Sequence, residues 1–151
     1  MPDQNPPRVV IDTNILISAI IVAGNVPDKI IKAWKDGLII LLLSGEILEE
    51  IKEVAGRDKF KKKYQNFGVR AEELIEVLEL ATETVDPKIS LPIHCRDAKD
   101  DKLLTAALGG EADYLVTFDE DLLDLNGNPA LGDLIIVYPN EFYDKVLREF
   151  Y

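Results

Sequence analysis

The run Arg8-Val9-Val10-Ile11, followed by Asp12-Thr13-Asn14, constrains this chain more than any other stretch. Val9, Val10 and Ile11 are β-branched and apolar with no alternation, the habit of a strand buried on both faces in a parallel sheet. The run stops at an acid, and Ile15 to Ile20 is then long enough for a helix. An aspartate thus stands at the carboxyl end of a buried strand, where a helix begins. Open α/β sheets bind their ligands there. A plain helix cap by Asp12 or Thr13 accounts for the same residues, so the rest of the chain has to decide between the two.

Further along, buried-strand patterns alternate with amphipathic helices. Leu38 to Leu43 is a second apolar run, Asp113 to Phe118 a third and Leu134 to Val137 a last. Between them a short helix is expected over Pro27 to Lys35, with Ile30, Ile31 and Trp34 inward. Another is expected from Gly45 to Ala55, with Ser44 as its cap. Arg70 to Thr82 is a third, with Leu74, Val77, Leu78 and Ala81 inward. Pro87 to Arg96 reads as a loop. Asn140 is expected to cap a final helix with Phe142, Val146 and Phe150 inward. No internal repeat or linker interrupts this alternation, so the fold expected is a parallel α/β sandwich. Residues 1–7 are polar and Pro-rich and are expected to be a tail without leader character, with 8–151 as one domain.

Acids recur at the positions such a sheet would bring together. Asp12 and Asp119 follow strands. In the helix Gly45 to Ala55 the apolar stripe is Ile47, Leu48, Ile51, Val54 and Ala55. At about 100° per residue, Glu49 and Glu53 fall opposite that stripe and Glu50 lies closest to it. Asp97, Asp100 and Asp101 precede the helix Leu103 to Leu108, more acids than capping requires. Carboxylates packed at one edge cannot all stay ionised without a cation, and hard oxygen ligands select Mg²⁺ or Mn²⁺. Such a centre activates water against a phosphodiester. The single histidine, His94, reads as structural, and it leaves a serine or cysteine triad without a second histidine to fall back on. There is no Walker sequence and no G-x-G-x-x-G. The lone Cys95 excludes an internal disulfide and a cysteine zinc site. A cytoplasmic location is expected, and no apolar run approaches membrane-spanning length. The net charge of −11 argues against nucleic-acid binding by the whole surface. The one basic segment, Arg57 with Lys59, Lys61, Lys62 and Lys63, is a candidate RNA contact or a solvated helix face.

Four motifs in order resemble those of PIN-domain nucleases: Val10 to Ala19 around Asp12; Ser44 followed by Glu50; Arg96-Asp97 with Asp100 to Leu104; and Ala112 to Leu123 around Asp119. The resemblance spans residues 8 to 138. It implies a Rossmann-like three-layer sandwich with a central parallel sheet. It matches Asp12, Glu50, Asp101 and Asp119 to the family's acidic quartet, which would be catalytic and metal-binding. Asp97, Asp100 and Asp121 match accessory acids, and Thr13, Asn14, Ser44 and Thr117 match polar residues that hydrogen-bond them. It further implies Mg²⁺- or Mn²⁺-dependent cleavage of single-stranded RNA. Similarity to short VapC-type toxins adds an antitoxin partner and a homodimer or higher homo-oligomer. Three alternatives stand beside it. A PIN-fold interaction module would keep the fold without catalysis. A haloacid-dehalogenase-type phosphatase would need a second acid where Asn14 stands, and a receiver domain would need a strand-ending lysine that is missing.

Overall fold

The computed structural model describes residues 5–86 and 89–150. Part of the expected tail, residues 1–4, lies outside them, as do Pro87 and Lys88 of the expected loop. The strands are β1 (Arg8–Ile11), β2 (Ile40–Ser44), β3 (Glu83–Val85), β4 (Tyr114–Val116) and β5 (Ile135–Val137). The helices are α1 (Thr13–Ile21), α2 (Val26–Lys35), α3 (Gly45–Ala55), α4 (Asp58–Lys63), α5 (Phe67–Ala81), α6 (Asp101–Gly109), α7 (Glu120–Leu123) and α8 (Pro139–Phe142).

All strand pairs are parallel, in the order β3-β2-β1-β4-β5, and helices cover the sheet to give a three-layer α/β sandwich. β1 is central, with Val9, Val10 and Ile11 at most 1% exposed. Each such burial is worth about 1.5–3 kcal/mol. The chain builds outward from β1 through β2 to β3, then returns to β4 and β5 on the other side. The strand order therefore reverses between β1 and β4. That crevice, at the carboxyl ends of the strands, is where a doubly wound sheet holds ligands.

Ser44 caps α3 by accepting the Ile47 N–H at 3.2 Å, and Trp34 is core, both as expected. Other expectations shift. The second strand starts at Ile40, not Leu38. α5 begins at Phe67 and leaves Ala81 exposed. β3 was not expected: only Val85 of its three residues is buried, so its pattern carries no apolar run. Asn140 does not cap the last helix, which starts at Pro139 without a side-chain cap. Beyond α8 the chain widens into a π turn, Tyr143–Leu147. Its five-residue spacing moves the inward position from Val146 to Leu147, which is fully buried, and leaves Phe150 55% exposed.

Candidate metal centre

Asp12 stands at the cap position of α1 yet makes no cap hydrogen bond. Asp12 is 7% exposed, and its carboxylate accepts the Thr117 hydroxyl at 2.7 Å. Burial raises its pKa above the ordinary carboxylate value; Thr117 and the Asn14 amide pull the other way, and Glu50 and Asp119 add to the rise. Thr117, fully buried at the end of β4, also accepts the Asp119 N–H at 3.0 Å. One hydroxyl thus ties the acids of two neighbouring strands. Asp119 caps α7 by accepting the Asp121 N–H at 2.9 Å.

Two adjacent aspartates at the start of α6 face different ways. A 3₁₀ turn, Ala98–Asp100, is capped by Asp97, which accepts the Lys99 N–H at 3.0 Å. Asp100 takes the cap position of α6 without capping it. Its carboxyl meets Asp119 and feels Asp12 and Asp97. Burial first, then Asp119, pushes its pKa up to about 7. Asp101 turns toward the loop before it. Its Oδ1 accepts the Cys95 N–H at 2.7 Å and its Oδ2 lies 2.9 Å from His94 Nδ1. Those two partners hold its pKa below the ordinary value. Of this pair, Asp100 is the acid that meets Asp119 and feels Asp12, whereas the sequence reading expected Asp101 there. The physical reason is the 3₁₀ turn, which sets which of the two side chains points into the crevice.

Glu50 faces inward from α3, as the helical wheel indicated, while Glu46, Glu49 and Glu53 are exposed. Thr13 donates to Glu50 Oε2 at 2.6 Å, and Lys102 Nζ lies 2.9 Å from Oε1. Lys102 was not singled out from sequence; its place on the inner face of α6 emerges only once Asp100 and Asp101 are oriented. Of the accessory residues, Asn14 is exposed and Ser44 serves α3 as its cap. Asp121 pairs with Arg96 at 3.3 Å. Cys95 is buried, and desolvation pushes its thiol up to about 12, so it stays protonated. The basic segment forms α4. Arg57 is taken up by Glu53 at 2.8 Å and lies within the field of Glu50. Lys59 and Lys63 sit over the Phe60 and Tyr64 rings.

A family model described as "PIN domain" matches residues 8–121, which include every acid named above. The chain belongs to the PIN-domain family. An uncharacterised protein of Methanocaldococcus jannaschii is 30% identical over 118 residues, covering 78% of this chain and 74% of that protein. Among solved structures, the crystal structure of VapBC2 from Rickettsia felis bound to a DNA fragment from their promoter is similar at a TM-score of 0.49. That match has 14% identity and covers 87% of this chain and 98% of that one. PIN domains are generally nucleases, and PIN nucleases generally use divalent metals.

The donor set of this PIN domain fits such an ion by its chemistry. Every candidate ligand is a carboxylate oxygen, and the acids crowd until Asp100 keeps its proton to about 7. Among the described residues, no three His, Cys, Asp or Glu side chains already stand in metal-gripping array.

Proposed function

We propose that this PIN domain is a Mg²⁺- or Mn²⁺-dependent endoribonuclease that cleaves single-stranded RNA, and that it serves in the cytoplasm as the toxin of a toxin–antitoxin pair, as a homodimer or higher oligomer. The observation that carries the nuclease reading is the crowding of Asp12, Asp100 and Asp119 at the crevice between β1 and β4, with Asp100 pushed up to about 7. The toxin reading extends the resemblance of the four motifs to short VapC-type chains.

Asp12, Asp100 and Asp119 would hold the ion, with Glu50 beside them. When bound, the ion supplies positive charge to the phosphate oxygens and makes water a stronger nucleophile at neutral pH. The chain's own residues prepare the site. Thr117 fixes Asp12 and the Asp119 backbone against each other. Thr13 and Lys102 orient Glu50 from opposite oxygens. Burial and Asp119 push the Asp100 pKa up to about 7, so part of the cluster's negative charge is relieved near neutrality in the metal-free protein. Lys59, Lys61, Lys62 and Lys63 on α4 offer phosphate contacts in an otherwise acidic chain.

A labelled single-stranded RNA tests the reading. Cleavage should stop in EDTA and return with Mn²⁺ or Mg²⁺. EDTA-resistant cleavage by a clean preparation, or none with either metal, overturns it. Charge reversal at Lys61, Lys62 and Lys63 should weaken RNA binding and flatten its salt dependence. If the toxin role holds, expression of the chain alone should arrest growth, and co-expression of an antitoxin from a small reading frame beside its gene should relieve that arrest.

A further inference from the structure

Beside the acids, on the β2–β3 side, lies a cavity of about 420 Å³ between the start of α3 and the first turn of α6. Its volume falls in the usual range for small-molecule sites, about 300–1,000 Å³. Lys99 and Lys102 line it, three residues apart, so they share one side of the turn. Val85 and Ala98 give it an apolar wall.

The two lysines are differently engaged. Lys99 is exposed, and among the described residues its ammonium has no carboxylate partner. Lys102 is bound to Glu50 Oε1, but its side chain is still 21% exposed. Glu50 keeps a second donor, the Thr13 hydroxyl on Oε2, so it stays held if Lys102 swings into the cavity. Three acids also line the space. Asp101 is taken up by the Cys95 N–H and His94, Asp86 has a partner of its own, and Glu46 is exposed on the first turn of α3.

A polyanion approaching this edge meets a crowded carboxylate cluster on a chain of net charge −11. It needs cations next to the acids. Arg96, on the other flank, is spent on Asp121 and Asp124 at 3.3 and 3.7 Å. Of the two lysines lining the cavity, Lys99 is exposed, and Lys102 is held by Glu50 with 21% of its side chain exposed. We propose that this cavity is a nucleotide subsite for the RNA strand, next to the bond that is cut, with Lys99 and Lys102 as its phosphate contacts. The inference rests on the RNA-cleaving reading above. Lys102 exchanges Glu50 for a phosphate oxygen when the strand enters, and the apolar wall of Val85 and Ala98 receives a base or sugar face.

The test uses the full chain and a 5′-labelled single-stranded oligouridylate, with binding read by anisotropy in EDTA at several salt concentrations. Lys99→Met and Lys102→Met should each weaken binding about tenfold at low salt, as expected for one charged hydrogen bond. Each should lower the slope of log K against log salt by about 0.7. Lys102→Arg should keep most of both. Unchanged affinity and slope in both Met variants, while the wild type binds and cleaves, would overturn this inference and leave the nuclease reading standing. A wild type that neither binds nor cleaves RNA overturns both. If Lys102→Met loses cleavage through kcat alone, with Kd and slope intact, Lys102 merely neutralises Glu50 and the subsite is refuted. Lys99 meets Asp97 only through its backbone N–H, which Lys99→Met leaves in place, so that variant keeps the question decidable if Lys102→Met fails to fold.

Discussion

At the amino end of the sheet Glu83 and Asp113 are each held by Arg8; at the carboxyl end Asp12, Asp100 and Asp119 are held by hydroxyls, amides and one another. The Arg8 guanidinium grips Glu83 with two bonds of 2.8 and 2.9 Å, donates twice to the Gly110 carbonyl, and the Arg8 N–H reaches Asp113 at 2.8 Å. Arg8 accordingly pulls the pKa of Glu83 down. Burial and neighbouring acids push Asp12 and Asp100 up. Carboxylates at the two ends of the sheet thus take opposite shifts. Acids that tie the fold together are given cations. The acids at the carboxyl end are given only hydroxyl and amide donors, and raised carboxyl pKa values of this kind are a mark of candidate sites.

The sharpest break of that comparison is one substitution at each end. Asp12→Asn keeps the shape and removes one charge from the cluster. RNA cleavage should fall about a hundredfold or more, since a metal's charge stabilisation is worth several kcal/mol. Stability in EDTA should hold or rise, because repulsion with Glu50 and Asp119 is relieved. Arg8→Ala at the other end should do the reverse, lowering the melting temperature and leaving kcat alone. Full cleavage by the Asp12→Asn protein would show that chemistry happens elsewhere.

The carboxyl end was the more legible of the two. Asp12 stands out because nothing apolar could follow Ile11, and Glu50 because a helical wheel separates it from Glu49 and Glu53. Periodicity stops at Asp100 and Asp101: adjacent side chains in a 3₁₀-to-α junction are resolved by backbone winding, which the sequence does not encode locally. Lys102 was missed for the same reason. At the amino end, β3 and the Arg8–Glu83 pair were illegible, because Glu83-Thr84-Val85 has no run to read and its partner is 75 residues away. The π turn after α8 hid in a four-residue repeat that the chain does not follow.

Gly110 tests how rigid the amino end is. A Cβ there would come within 2.8 Å of the Ala106 carbonyl, 2.9 Å of Val85 and 3.0 Å of Leu42. The closest neighbour is backbone and cannot rotate away. Gly110→Ala should cost about 1–3 kcal/mol, the usual range for overpacking. It would be read as a lower urea midpoint at unchanged m, with cleavage by the folded fraction intact. A midpoint equal to wild type would mean that this end yields more easily than its bonding indicates.

Acidity separates the two ends by sign. Asp100 holds its proton to about 7 in the folded protein and releases it near 3.8 when unfolded. Its contribution is full below about pH 4 and is lost as pH rises through 7. Metal-free protein should therefore melt progressively lower between pH 4 and 7. Asp100→Asn should flatten that slope, and Mn²⁺ should restore the melting temperature at the upper end. An identical slope in wild type and Asp100→Asn would remove Asp100 as its source.

Glu83 gives the smallest effect and the opposite sign. Its folded pKa lies below the ordinary 4.5, chiefly because Arg8 bonds its ionised form. The stability it contributes is present above pH 4.5 and is lost as pH falls through the lowered value. Both partners are partly in water, Glu83 at 48% and Arg8 at 30% of side-chain exposure, so salt screens much of the attraction. Glu83→Gln should lower the melting temperature slightly at pH 7 and low salt, and not at all at 1 M salt. The difference from wild type should shrink below pH 4.5, where the native glutamate is also being neutralised. Cleavage should not change, because Glu83 sits at the start of β3, at the end of the sheet away from Asp12. A Glu83→Gln protein whose deficit persists in 1 M salt would show that Glu83 acts by shape, through the fit of Arg8 against the Gly110 carbonyl, and the charge contrast between the two ends would then narrow to the carboxyl end alone.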